Sequence, residues 1–320
     1  MTTNFATIGT PSLWLGFGVL VLAMLAIDLG IFHRRAHEVR LGEALAWSAV
    51  WISVSLLFNL GVYLWFGQER GLEFLTGYLV EKALSVDNIF VFFVALSWFA
   101  VPAQLQHRVL FWGILGALVM RGIFIAMGAV LLQRFQWLGY LLGAFLVFTG
   151  IKLLTHSNRP PQPERNFLYR LFRRAIPSID EYQDGRFIVR QGARRYATRL
   201  FLVLIAVEGL DIVFAVDSIP AIFAVTRDPF IIYTSNVFAI LGLRALYFVL
   251  AGMVGRFRYL DVGLSIVLVF VGAKMLLAPI YELPIGASLA VIAALLAGAI
   301  CASLIHSDGN RTKQRFEAKQ

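Results

Sequence analysis

Long apolar stretches restrict the folds open to this chain more than any other feature. Nine windows of about 18 or more apolar residues are each long enough to cross the hydrocarbon core of a bilayer as a helix. They cover residues 12–32, 44–66, 74–99, 109–132, 137–154, 200–225, 230–254, 259–280 and 285–305. With 59% hydrophobic and only 15% charged residues over 320 positions, the chain is too apolar for a soluble domain. We therefore predict an all-α polytopic membrane protein with nine transmembrane helices.

The first apolar stretch is predicted to be a retained helix and not a cleaved signal peptide. The segment before it carries no charge, whereas a signal peptide begins with a basic region, and Asp28 lies near its far end. The same segment lacks the Arg-rich and Ser-rich composition of an organelle transit peptide. We therefore expect a multi-pass protein of the bacterial cytoplasmic (inner) membrane.

The distribution of Lys and Arg predicts the orientation of the chain. Clusters of basic residues fall at 34–40, 159–199, 256–258 and 311–319, and all of these loops lie inside if the N-terminus is outside. The outer loops then carry only Arg70, Arg134 and Arg227 as cations. We predict an N-terminus outside and a C-terminus inside. The excess of Lys and Arg in inner loops also accounts for the basic central loop, so we expect no nucleic-acid partner. The lipid bilayer is the expected environment of the protein.

Two short acidic stretches indicate an internal repeat. The residues that align at equal spacing are Glu81 with Asp211, Asp87 with Asp217 and Asn88 with Ser218, and each stretch is followed by an apolar stretch with Ile-Leu-Gly and an arginine, Arg121 or Arg244. Each unit contains three predicted helices. The predicted orientation starts one unit outside and the other inside, so we predict an inverted 3+3 helix repeat, in which transporter sites lie at the midplane between the units.

The predicted organisation has five parts. They are residues 1–72 with two N-terminal transmembrane helices, 73–154 with repeat 1 (helices 3–5), 155–199 as a basic cytosolic loop, 200–280 with repeat 2 (helices 6–8), and 281–320 with the ninth helix and a cytosolic tail. Within the loop, residues 187–196 are predicted to form a small β-hairpin that turns at Gln191 and Gly192.

Carboxylates placed within apolar stretches predict a cation site. Insertion of each carboxylate into the middle of the bilayer costs roughly 2.5 to 3.5 kcal/mol, so their presence indicates a functional role. The predicted ligands are Glu81, Asp87, Asn88, Glu208, Asp211, Asp217 and Ser218. Carboxylate, amide and hydroxyl oxygens suit hard divalent cations such as Mg²⁺, Ca²⁺ and Mn²⁺. None of the five histidines lies in the middle of a predicted span, which makes Mn²⁺ the transition metal best suited to the site.

A single site that uses all of the acids needs a departure from ideal helices. Asp87 and Asp217 lie about 120° away from the stripe formed by the other ligands of their helices. Pro220 cannot donate to the carbonyl of Val216, so we expect local unwinding of helix six beside Asp217. The repeat implies a similar break in helix three.

Four further charged residues, Asp28, Lys82, Arg121 and Arg244, are assigned to coupling or charge pairing. The structural alternative is that the acids only pair with the bases to hold the helices together. Six intramembrane acids against three bases would leave three carboxylates unmatched. Lys82 directly follows Glu81, and we expect its side chain to compete for the site when no metal is bound.

Three motifs resemble the TerC family, and most closely its Alx branch. They read Glu81-Lys-Ala-Leu-Ser-Val-Asp87-Asn88-Ile-Phe-Val-Phe, Phe214-Ala-Val-Asp217-Ser-Ile-Pro-Ala and Ser235-Asn-Val-Phe-Ala-Ile-Leu-Gly-Leu-Arg244. The likeness extends over nearly the whole chain. It implies an integral inner-membrane protein that exports manganese, in a family named after tellurium resistance. It also implies that the acids at positions 81, 87, 208, 211 and 217 are functional.

The expected function is export of Mn²⁺ by alternating access, without enzymatic activity and without a cofactor. Moving two charges outward against an inside-negative potential costs about 4.6 kcal/mol per 100 mV, so export needs coupling, and proton antiport is the simplest form. Two alternatives stay open: a non-transporting membrane scaffold or insertion factor, and handling of an oxyanion such as tellurite. The sequence also leaves open whether the protein is a monomer or a homodimer.

Overall fold

The computed structural model describes residues 7–32, 41–135, 137–156, 177–179, 181–191, 194–251, 260–278, 280 and 283–317. Within these ranges, several side chains lie outside the described part, among them those of three predicted site residues, Asp28, Asp87 and Asp217.

The described part of the chain contains ten α-helices, one β-hairpin and a short 3-10 helix at Gln183–Gly185. In chain order the α-helices and strands are α1 Pro11–Phe32, α2 Leu41–Phe66, α3 Gln68–Trp98, α4 Ala103–Arg134, α5 Leu138–His156, β1 Ile188–Gln191, β2 Arg194–Ala197, α6 Arg199–Phe223, α7 Pro229–Leu241, α8 Leu243–Ala251, α9 Leu260–Leu277 and α10 Ile285–Glu317. Every predicted apolar stretch coincides with a helix, except that the seventh is divided between α7 and α8.

Among the residues that the structure describes, five helical segments are long and apolar enough to cross a membrane, by length and composition alone. They are Leu41–Phe66, Ala103–Arg134, Leu138–Thr155, Pro229–Val249 and Ile285–Ser303. Two further apolar segments, Pro11–Ile27 and Val262–Leu277, are shorter. The all-α membrane architecture is therefore confirmed, while the count of nine crossings and their orientation stay predictions.

The seventh apolar stretch, predicted as one helix, breaks at Gly242. The amino group of Lys82 on α3 donates to the carbonyl oxygen of Ala239 at 3.1 Å, an acceptor that would otherwise bond within the helix. Glycine also favours the break, because it is a poor helix former and leaves space for this approach. A Cβ at Gly242 would lie 2.8 Å from Nζ of Lys82 and 3.2 Å from Trp51.

The unwinding expected beside Pro220 does not occur. Helix α6 is continuous from Arg199 to Phe223 and contains Pro220 in its last turn. The missing donor therefore affects one carbonyl close to the natural end of the helix, where the loss is small. The break inferred for the first acidic stretch is also wrong, because α3 continues without interruption from Gln68 to Trp98.

Helix packing follows a reciprocal pattern. Helix α3 packs on α7 and α8, α4 packs on α6, α5 packs on α9, and α3 meets α6 in the centre. The α5–α9 crossing is close because glycines form it: a Cβ on Gly150 would come within 2.7 Å of the carbonyl oxygen of Ser265, and one on Gly272 within 2.7 Å of that of Gly143. Small residues of this kind let membrane helices approach at backbone distance.

The predicted hairpin in the central loop is confirmed. Strands β1 and β2 are antiparallel, with Gln191 opposite Arg194. The hairpin lies near the start of α4, where the ring of Phe187 meets that of Trp112 edge-on at 6.3 Å. The guanidinium of Arg108 lies over the same phenylalanine ring at 5.5 Å.

Candidate functional site

Arg121 lies at the centre of the helix bundle and connects both acidic stretches. It comes from the middle of α4 and is only 1% exposed. Its Nη1 atom donates to the carboxylate of Glu81 on α3, and its Nη2 atom donates to Oδ1 of Asp211 on α6 at 3.3 Å. One guanidinium thus forms ion pairs with two carboxylates that align in the predicted repeat.

Neutral oxygen atoms complete the surroundings of this guanidinium. Oγ of Ser218 on α6 and Oδ1 of Asn236 on α7 each lie 3.3 Å from Nη1 of Arg121. On α3, the hydroxyl of Ser85 makes a long 3.5 Å hydrogen bond to Glu81. Side chains from three helices, α3, α6 and α7, therefore converge on Arg121 of α4. We refer to Glu81, Arg121, Asp211, Ser218 and Asn236 as the Arg121 cluster.

Helical periodicity explains how the sequence brings these groups together. Glu81, Ser85 and Asn88 recur at intervals of four and three residues, so they share one face of α3. Asp211 and Ser218 are seven residues apart and share one face of α6. All five side chains are buried in the structure, so the two predicted stripes face the centre of the bundle.

The cluster has unused acceptor capacity and an unbalanced charge. Oε2 of Glu81 and Oδ2 of Asp211 accept no hydrogen bond from the described residues. Counted as ionised, two carboxylates and one guanidinium leave one net negative charge. Buried acceptors without a partner are costly. Nε of Arg121 and Nδ2 of Asn236 likewise have no acceptor among the described residues, but the net charge favours one further positive charge, such as a proton.

A small cavity adjoins the cluster on the side where α4 begins. Its volume is about 20 Å³, which is room for about one water molecule. The charged residues in its lining are Asp211 and Arg244, and apolar side chains of α3, α4, α6, α7 and α8 form the rest. Tyr247 closes one end, and its hydroxyl donates to the side-chain oxygen of Gln106 at 3.0 Å.

Glu208 lies beside the cluster but is not bonded to Arg121. Its carboxylate packs against Gly116 of α4 so closely that a Cβ at that position would overlap with it. Among the residues that the structure describes, Glu208 forms no ion pair. A side chain at position 116 would displace this carboxylate, which explains the need for glycine there.

Lys82 points away from the acids, contrary to the expectation that it competes for their site. Its amino group binds the carbonyl of Ala239 at the end of α7, where the helix dipole favours a cation. Arg121, which the sequence analysis treated as a counter-ion, is the cation between the carboxylates. The cation that pairs with the acids therefore comes from α4 and not from α3.

The remaining predicted residues are placed only in part. The side chains of Asp28, Asp87 and Asp217 lie outside the described residues, although α1, α3 and α6 carry their backbones. Arg244 is buried on α8 and lines the small cavity. Within the described residues, which leave out the side chains of Asp87 and Asp217, no group of three or more His, Cys, Asp or Glu side chains is arranged to hold a metal.

Asn236 is the cluster member that sequence reasoning missed as a ligand. The signal was present, because an amide in the middle of an apolar stretch needs a hydrogen-bond partner in the membrane. Its position on α7 has no polar counterpart in the first repeat, so the comparison of the two units could not single it out.

Comparison with known proteins gives the family. The model of the "Integral membrane protein TerC family" matches residues 66–311. An "Uncharacterized membrane protein STKORF319" of Myxococcus xanthus is 55% identical over 95% of this chain and 95% of its own length. The "Putative membrane-bound redox modulator Alx" of Escherichia coli (strain K12) is 50% identical over 91% and 93%. No solved structure matches. The chain therefore belongs to the TerC family of integral membrane proteins, as its acidic motifs indicate.

Proposed function

We propose that this protein exports divalent cations, most readily Mn²⁺, by alternating access at the Arg121 cluster, in exchange for protons. One observation carries the proposal: two buried carboxylates from different repeat units, Glu81 and Asp211, share one guanidinium and each keeps an unbonded oxygen. Ionisable residues that face the interior of a membrane bundle are rare and commonly mark ion pathways or proton relays.

The ligand chemistry supports a hard divalent cation. The described oxygens around the guanidinium are carboxylate, hydroxyl and amide oxygens, which Mn²⁺, Mg²⁺ and Ca²⁺ prefer. Arg121 occupies the position at which such oxygens would hold a cation. If Arg121 withdraws, two carboxylates remain, and their charge matches that of one divalent ion. On the continuous helices α3 and α6, Asp87 and Asp217 lie about 120° from the stripe that forms the cluster, so the proposed site rests on Glu81 and Asp211.

The packing pattern supports an inverted repeat and a site between its units. In each direction, the first helix of one unit packs on the second helix of the other: α3 on α7 and α8, and α4 on α6. The third helices, α5 and α9, pack on each other. A two-fold axis in the membrane plane would produce this exchange, and it would pass close to Arg121. Transporters built in this way bind their substrates at that interface.

Proton exchange supplies the coupling in this proposal. Outward movement of two charges against the membrane potential costs about 4.6 kcal/mol per 100 mV. Carboxylates bind either a proton or a metal, so the two ligands exclude one another. Protons that enter as the metal leaves would supply the free energy that export requires.

The alternatives fit the cluster less well. An oxyanion such as tellurite would have to displace two carboxylates from Arg121, both of which it would repel. A redox role, which the name of the E. coli relative suggests, cannot use an intramolecular disulfide here, because the chain has one cysteine. A membrane scaffold needs no buried charge cluster of this kind, and transport measurements separate it from an exporter.

The test is Mn²⁺ flux in proteoliposomes that contain purified protein and a fluorophore quenched by Mn²⁺. We expect Glu81→Gln and Asp211→Asn to lower the flux by at least about tenfold, since even groups that only orient a ligand change metal affinity by this amount. Glu69→Gln is the matched control, because Glu69 is an exposed acid in the first turn of α3. Its flux should equal that of the wild type. Wild-type flux in both site variants would refute the site, and no Mn²⁺ flux in the wild-type protein would favour the scaffold.

A further inference from the structure

An apolar groove of about 480 Å³ runs between the first half of α1 and the second half of α2, with α7 as its floor. Phenylalanines dominate the lining, including Phe58 of α2 and Phe230 and Phe238 of α7. The groove is wide because Gly16 and Gly61 line its two walls. A Cβ on Gly16 would have no neighbour within 4 Å, so this wall leaves open space.

Contacts at the start of α1 hold the groove open. Asp228, which precedes α7, accepts hydrogen bonds from the hydroxyl of Thr7 and the backbone amide of Ile8, both at 2.8 Å. One turn into α1, the ring of Trp14 meets that of Phe230 edge-on at 5.1 Å. These contacts fix the start of α1 to α7, and the rings of Phe17 and Phe58, 5.7 Å apart, join α1 to α2 within the groove lining. The space between α1 and α2 is therefore a fixed feature of the fold.

Physical chemistry limits what can fill such a space. An empty groove deprives its wall atoms of dispersion contacts. Water needs two to four polar partners at each position, and the lining offers few polar side-chain groups, such as the hydroxyl of Ser12 and the indole of Trp65. Hydrocarbon satisfies both conditions. The groove opens towards a surface of large apolar side chains, with Leu57 67% exposed and Trp65 83% exposed, which in an integral membrane protein faces lipid.

We propose that this groove binds one acyl chain of a membrane lipid as a resident ligand. The chain would lie along α1 and α2 and contact the phenylalanine floor. That floor belongs to α7, the helix that also carries Asn236 of the Arg121 cluster, and Phe238 follows Asn236 by two residues. A bound chain would thus pack behind the helix segment that presents the amide oxygen to Arg121. This inference does not depend on the proposed transport function.

The test uses nanodiscs of phosphatidylethanolamine and phosphatidylglycerol that contain a phospholipid with a diazirine on its acyl chain. After irradiation, mass spectrometry locates the cross-linked peptides. We expect labelling of the α1 and α2 groove segments to exceed that of the lipid-facing side of α10. In Gly16→Phe, whose ring fills the groove, groove labelling should fall several-fold. Gly18→Phe is the matched control, because Gly18 is on the same helix with equally open surroundings and does not line the groove; its labelling should stay at the wild-type level.

Native mass spectrometry gives a second measurement. We expect Gly16→Phe to retain one lipid fewer per protein than the wild type and Gly18→Phe. If Gly16→Phe does not give monodisperse protein, Gly61→Leu fills the groove from the other wall, where a Cβ meets Trp65 only at 3.6 Å. Equal labelling and equal lipid retention in the filled variant and the control would overturn the proposal. A loss of dimer in place of a loss of lipid would also overturn it, and would assign the groove to a second copy of the chain.

Discussion

Removal of the Arg121 side-chain charge is the most informative perturbation of this fold. The guanidinium side chain is 1% exposed, and its partners Glu81 and Asp211 are 0% and 6% exposed. Removal of one partner of a buried ion pair costs about 3–5 kcal/mol, because the remaining charge is uncompensated. Arg121→Met leaves two carboxylates in this condition. We therefore expect a loss near the upper end of the range, about 5 kcal/mol of unfolding free energy.

Neutral replacement of the whole cluster should recover most of that loss. Buried ion triads that are exchanged for uncharged residues of similar volume leave stability unchanged or higher, by about 1–4 kcal/mol. The triple variant Glu81→Gln, Arg121→Met, Asp211→Asn should thus be close to the wild type in stability while it transports no metal. A control is Arg70→Met, because Arg70 pairs with Glu73 at 2.7 Å but is 25% exposed. Its loss should be about 1 kcal/mol or less.

Added metal provides the second part of the same experiment. In Arg121→Met, Mn²⁺ replaces the missing positive charge, so it should stabilise this variant more than the wild type. At a concentration one hundred times its Kd, a ligand of the folded state adds about 2.7 kcal/mol. Equilibrium unfolding in mixed detergent micelles, with and without Mn²⁺, measures both effects. If Arg121→Met unfolds within about 1 kcal/mol of the wild type, the buried charge cluster has no energetic role and the reasoning fails.

Three further substitutions test single contacts. Gly116→Ala should displace the neighbouring Glu208 carboxylate and lower Mn²⁺ flux in proteoliposomes. Gly113→Ala, whose Cβ would meet its neighbour at 3.4 Å, should keep the wild-type flux. Equal flux in the two variants would contradict the packing argument. Asp228→Ala removes the N-cap hydrogen bond of α7 and two hydrogen bonds from the start of α1, so the free energy of unfolding should fall by about 1–2 kcal/mol. An unchanged midpoint of the unfolding transition would show that α1 is not anchored there. Gly150→Ala places a methyl group 2.7 Å from a backbone carbonyl oxygen of α9 and should lower the free energy of unfolding by about 1–3 kcal/mol. A melting temperature equal to that of the wild type would refute the close crossing.

Periodicity in the sequence was sufficient to predict the helices and the faces that meet in the centre. Apolar stretches of membrane length place the helices, and the intervals between Glu81, Ser85 and Asn88 place oxygens on one face of α3. The rotation of each helix about its axis follows from these stripes, because both must be buried. Local spacing contains this information, so no tertiary contact was needed for it.

The break at Gly242 could not be predicted, because the same local sequence behaves differently in the two units. Ile-Leu-Gly ends at Gly116 within a continuous α4 and at Gly242 at the end of α7. The difference comes from the residue that packs against each glycine. Lys82 has an amino group that binds a helix carbonyl in competition with the helix itself, whereas the carboxylate of Glu208 has no proton to donate when ionised. A partner more than one hundred residues away in sequence thus decides the local structure.

The bridging position of Arg121 was also beyond the sequence, which offered Lys82 and Arg244 as equally plausible partners of the acids. Which cation pairs with the acids depends on the length of each side chain and on its position along its helix. Lys82 donates its hydrogen bond to a carbonyl at the end of α7, whereas Arg121 lies close enough to pair with both carboxylates. The unwinding predicted at Pro220 does not occur, because the effect of a proline on a helix depends on its distance from the helix end. Both errors come from tertiary position and not from residue chemistry.

The two glycines that accept a charged side chain make the halves of the bundle energetically unequal. In a transporter made of two identical inverted units, the inward-facing and outward-facing conformations would have the same energy. Here an amino group enters beside Gly242 and a carboxylate beside Gly116, so an exchange of the two units does not restore the same set of contacts. Under the proposed repeat and transport cycle, the two access states would therefore differ in energy before any ion binds, and the contacts of Lys82 and Glu208 would contribute to that difference.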